Sequence, residues 1–124
     1  MSSDYLFIIS YTTKCIDIPI FPDRLLENNP LNVMIHTVPA IPHKGRLYLN
    51  GKALLNMLGI PSHEVNLFDI PVEWALVSMH HSFEIPLIEH IHLTGVIKYV
   101  KSKSKRRWLY NNINIYEPGV IKMV

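Results

Sequence analysis

The chain has 124 residues, 48% of them hydrophobic and 18% charged, with a net charge of +2. That length holds one ordinary hydrophobic core, and the composition is far from the polar profile of intrinsic disorder, so residues 1–124 read as a single folded domain. The longest apolar runs, Tyr5 to Tyr11 and Trp74 to Met79, fall well short of the roughly 20 residues that span a bilayer. No basic stretch precedes the first of them and no small-residue cleavage site follows, so the build of a secretory signal is missing. Cys15 is alone and no Asn-x-Ser/Thr sequon occurs, which excludes an intrachain disulfide and points to an intracellular setting, cytoplasmic or nuclear.

Taken in chain order, Tyr5 to Ser10, Lys14 to Ile20 and Leu31 to Val38 are β-branched and aromatic runs that predict three strands, and Arg46 to Asn50 alternates as a short fourth. Five prolines follow isoleucine, at Pro19, Pro42, Pro61, Pro71 and Pro86, and each Ile-Pro pair predicts the end of an element. Gly51 to Leu58 predicts a two-turn helix: Asn50 caps its start, Ala53, Leu54, Met57 and Leu58 form an apolar stripe, and Gly59 stops it. From Pro71 to about His81 a second helix is expected, although Val72 to Met79 also suits a buried strand.

Between Leu87 and Ile115 apolar residues recur at odd positions, namely Leu87, Ile91, Leu93, Ile97, Leu109, Ile113 and Ile115. A five-residue loop, Lys101 to Lys105, would pair Ile97 with Leu109, Leu93 with Ile113 and Ile91 with Ile115, where a two-residue turn would set apolar against polar. The expected fold is therefore α+β and sheet-dominated, with two short central helices and a long C-terminal β-hairpin.

Charge is segregated along the chain. Lys98, Lys101, Lys103, Lys105, Arg106 and Arg107 lie within ten positions that contain no acid, while the remaining residues carry six basic against ten acidic side chains, a net of −4. Between Lys52 and Lys98 there is no Lys or Arg, only five acids and five of the seven histidines. On the hairpin reading, Trp108 and Tyr110 share a face with Lys98 beside this cationic tip. Rings next to cations are what single-strand binding uses, since bases stack on the rings while Lys and Arg neutralise phosphate. A solvated loop tip would carry the same lysines for solubility alone.

Other chemistry is weakly supported. His90 and His92, two apart on a strand, would offer two corners of a metal site, with His80, His81 or Glu84 as the third ligand, but no H-E-x-x-H motif or cysteine partner accompanies them. A helix-turn-helix over Gly51 to Phe68, with Ser62 capping its second helix, would present a recognition helix bearing acids and no Lys or Arg. Nucleophile elbows and glycine-rich phosphate loops are absent, so no enzyme activity, cofactor or metal is expected. The lead expectation is a non-enzymatic binding protein in which Lys98, Lys101, Lys103, Lys105, Arg106, Arg107, Trp108 and Tyr110 engage a polyanion, RNA or DNA. The alternative is a structural protein, homo-oligomeric through the hairpin face, whose basic tip meets an acidic partner or an anionic membrane surface. Richness in Ile, Asn and Tyr is compatible with an AT-rich source such as a virus.

Overall fold

A computed structural model describes residues 5, 7–21 and 37–113. Six strands form one mixed sheet: β1 (Phe7–Ile9), β2 (Ile16–Pro19), β3 (Thr37–His43), β4 (Arg46–Asn50), β5 (Glu73–Ser78) and β6 (Ser82–Glu89), in the spatial order β1-β5-β6-β4-β3-β2. Only β1 runs parallel to its neighbour β5; every other pairing is antiparallel. Helices α1 (Gly51–Leu58), α2 (Leu93–Ile97) and α3 (Lys103–Asn112) accompany the sheet, with 3-10 turns at Ser62–Leu67 and His90–His92. No described helix is long and apolar enough to cross a membrane.

The strand alternation builds two cores. Val38, Ala40, Leu47, Leu49 and Ile88 point from the sheet into a cluster with Leu54, Leu55 and Leu58 of α1, Leu93, Val96 and Ile97 of α2, and Leu109 of α3. The opposite face curls into a half-barrel around Phe7, Ile9, Ile41, Tyr48, Ala75, Val77, Ile85 and Leu87. Burial on both faces explains why these strands read as nearly continuous apolar runs.

Helix α1 forms where its punctuation predicts. The Asn50 side chain accepts a hydrogen bond from the Ala53 amide at 3.1 Å, and Gly59 ends the helix in the left-handed region at φ 74°. The β3–β4 connection is a two-residue turn with Lys44 and Gly45 both at positive φ, which matches the twist of paired strands. Of the two readings of Val72 to Met79, the strand is realised, as β5.

Two expectations are corrected. Not every Ile-Pro pair ends an element: Pro19 closes β2 and Pro61 and Pro71 lie between elements, but Pro42 lies within β3, as does Pro39, and Pro86 lies within β6. At Pro86 this costs little, because β6 pairs with β4 only from Leu87 to Glu89, and the carbonyl of Pro86 faces the start of α1. The C-terminal hairpin is replaced by helices. Only Leu87, Ile88 and Glu89 of its first arm belong to a strand, and the supposed loop and second arm form the Lys101–Ser102 approach to α3 and the helix itself. Val96 and Val100, which a hairpin would turn away from the core face, are both buried. The expected pairs that involve Asn114 and Ile115 lie outside the described residues, as does most of the Leu31 to Val38 run.

Candidate functional site

The six clustered cations fall into two groups. Lys98 and Lys101, between α2 and α3, are held by acids: Lys98 Nζ pairs with Asp69 Oδ2, and Lys101 Nζ lies 3.3 Å from Glu64 Oε1. Tyr99 completes the first of these contacts. Its hydroxyl accepts from the Asp69 amide at 3.0 Å, lies 3.2 Å from Asp69 Oδ1 and 3.1 Å from the Leu67 carbonyl, and its ring stacks on Phe68 with centroids 4.2 Å apart. The Lys98 ammonium holds the Asp69 carboxyl below its ordinary range, helped by the Tyr99 hydroxyl, and Asp69 in turn raises Lys98.

Lys103, Lys105, Arg106 and Arg107 lie on α3, which starts where Ser102 Oγ accepts from the Lys105 amide at 3.3 Å. At helical spacing these residues divide between two sides. Inward, Leu109 is fully buried and the half-buried Trp108 packs on Phe21, ring centroids 5.3 Å apart. Lys105 also leans inward, its ammonium beside Gly59 at the C-terminal end of α1, where the helix dipole favours a cation. Outward, Lys103, Arg106, Arg107, Tyr110 and Asn111 line a shallow recess of about 360 Å³. Arg106 is anchored there by a 2.9 Å bond from Nη1 to the Val100 carbonyl, and Asn112 is occupied with the Trp108 carbonyl at 2.8 Å, whereas Lys103, Arg107, Tyr110 and Asn111 are exposed.

The expected site is thus redistributed. Trp108 and Tyr110, expected side by side on one strand face, leave α3 in different directions, so no paired stacking platform forms. Asn111 joins the exposed cations although the strand reading placed it elsewhere; Ser102 as a cap was the signal that could have found it. No acid occupies α3, and Lys103, Lys105 and Arg106 crowd its first turn. Cations at the positive end of a helix dipole cost about 0.3–1 kcal/mol each.

The histidines do not stand as the two corners of a metal site that a strand would offer. His90 and His92 belong to a 3-10 turn rather than a strand; His90 is buried with Nδ1 3.4 Å from the Leu47 carbonyl, while His92 is half-buried. Among the described residues no three of His, Cys, Asp and Glu come together to hold a metal. The helix-turn-helix geometry is missing too, since Ser62–Leu67 is a 3-10 segment without a side-chain cap. Compared with protein families, curated proteins and solved structures, the chain matches none.

Proposed function

We propose that this is a non-enzymatic binding protein whose outer α3 face, formed by Lys103, Arg106, Arg107, Tyr110 and Asn111, engages a polyanion, nucleic acid above all. The observation that carries this reading is the concentration of cations, with no acid among them, in the first turn of α3. A helix kept only for packing gains from acids there, whereas a bound phosphate chain turns the unfavourable positions into favourable ones. The shape of the face suits a duplex better than a single strand. Trp108 is committed to Phe21, which leaves Tyr110 as the exposed ring, while Arg and Asn side chains on an exposed helix match the donor and acceptor pattern of a major groove. Titration with single- and double-stranded nucleic acid at two salt concentrations tests this. Salt-dependent binding with the duplex favoured is the expected result, and no salt-dependent binding to either overturns it.

A second reading is self-association. Ile8 of β1 and Phe83 of β6 are 61% and 50% exposed, unusual for large apolar strand residues, and β1 is an edge strand. A concentration-dependent oligomer indifferent to nucleic acid would favour it.

A further inference from the structure

The half-barrel face is apolar along most of its length and changes character at the end beside the β3–β4 turn. Tyr48 pairs directly with Glu89, and Glu73 with Leu87, so Glu73, Glu89 and Tyr48 project from the same face, joined by Arg46 two residues before Tyr48. With Lys44 and His92 they line a cleft of about 450 Å³, within the range of small-molecule sites.

Glu89 is the unusual member. It follows Ile85 and Leu87 along the inward side of β6 and is itself only 8% exposed. Burying a carboxylate is expensive unless it is closely paired. Its ion-pair partner, Arg46 Nη1, stands 3.5 Å away and reaches in from a side chain that is 62% exposed. An apolar residue would serve the core better at this position, so packing does not account for the carboxylate. The cleft carries both signs of charge: Glu73, Glu89 and the Tyr48 ring on the sheet, Arg46 at the start of β4 already beside Glu89, and Lys44 in the tight turn.

We propose that this cleft binds a small zwitterion of amino-acid type, its cationic group against Glu73 and Glu89 over the Tyr48 ring, with Glu89 shared between it and Arg46, and its carboxylate against Lys44. A guanidinium suits the inner end, because it pairs with a carboxylate through two parallel hydrogen bonds and stacks on aromatic rings. The cleft shares no residue with α3, and the inference stands apart from nucleic-acid binding.

Calorimetric titration of the full chain with L-arginine, agmatine and propionate tests it. L-Arginine should saturate one site, agmatine, which lacks the carboxylate, should bind about tenfold more weakly, and propionate should show no saturable binding. Glu89→Gln should abolish arginine binding. Should that variant fail to fold, the less buried positions decide: Glu73→Gln should weaken both cations, whereas Lys44→Ser should weaken arginine and leave agmatine unchanged. Absence of saturable arginine binding up to about 10 mM, or equal affinity for arginine and agmatine, overturns the proposal.

Discussion

Trp108 inclines its ring by 49° to that of Phe21, a side chain with 1% of its surface exposed, and so ties the basic helix α3 to the segment that follows β2. The tryptophan is a structural anchor on the inner side of a helix whose outer side is cationic. Trp108→Ala should therefore destabilise the domain by about 2–3 kcal/mol, less than a fully buried tryptophan because the ring is only half-buried. Denaturant unfolding measures this, and a variant with the midpoint of the parent would show that the ring contributes nothing to packing.

The Lys98–Asp69 pair gives a pH signature. Because the folded-state pKa of Asp69 is lowered by Lys98, the pair's contribution to stability is present above the ordinary carboxylate range and fades as pH falls through the lowered value. Lys98 is raised by Asp69, so the same contribution persists below its ordinary range and is lost as pH rises through the raised value. Both groups are exposed, and the effect on stability is small. The carboxyl resonance of Asp69 should titrate below that of an isolated aspartate and move up toward the usual range in Lys98→Met; an unmoved midpoint in that variant would assign the shift to another group.

Punctuation made α1 legible: Asn50 acts through a side-chain bond to the amide three residues on and Gly59 through its own backbone geometry, and neither needs a tertiary partner. The C-terminal third reads as a hairpin because its apolar spacing serves two periods. Leu93 and Ile97 are four apart, as are Leu109 and Ile113, a separation that keeps residues on one face of a strand and on one face of a helix alike. The deciding residues were Val96 and Val100. Buried beside Leu93 and Ile97, they complete a pattern of three- and four-residue steps that a strand cannot bury. The cationic cluster itself was visible from sequence, but the separation into acid-paired and outward-facing members depends on Glu64 and Asp69, which lie more than 25 residues away in the chain. Likewise, the parallel pairing of β1 with β5 joins Phe7 to Ala75, a contact no local pattern announces.

Gly51 opens α1, where helix propensity alone would make alanine the better residue by up to about 1 kcal/mol. Here the sheet overrides propensity. A Cβ on Gly51 would stand 2.8 Å from the backbone carbonyl oxygen of Pro86 and 3.1 Å from its ring, and β6, paired with β5 at that point, has little room to retreat. Gly51→Ala should lower stability by about 1–3 kcal/mol, the usual range for overpacking, while Asn56→Ala on the exposed side of the same helix should be neutral or mildly stabilising. Thermal unfolding of the two variants compares the effects directly, and a stabilised Gly51→Ala protein would contradict the close approach of α1 to β6.

Charge on α3 and charge beside it should behave differently toward nucleic acid. If Lys103, Arg106 and Arg107 each contact a phosphate, the slope of log affinity against log salt is about −2 to −3, and a fourfold rise in salt weakens binding roughly 20- to 40-fold. Replacing Lys103 and Arg107 with Ser removes two of those contacts without touching Leu109, Trp108 or the Ser102 cap, so the protein should stay folded while the slope falls by about 1.4–1.8. Lys98 and Lys101 are matched to Asp69 and Glu64, and their replacement with Ser unmasks two acids beside the site. That double variant should bind more weakly at low salt through long-range repulsion, and its slope should fall by less than in the Lys103 and Arg107 variant, because it loses no phosphate contact. Salt titrations of the parent and the two double variants against one duplex separate these effects, and equal slopes in all three would remove the outer face of α3 from the binding site.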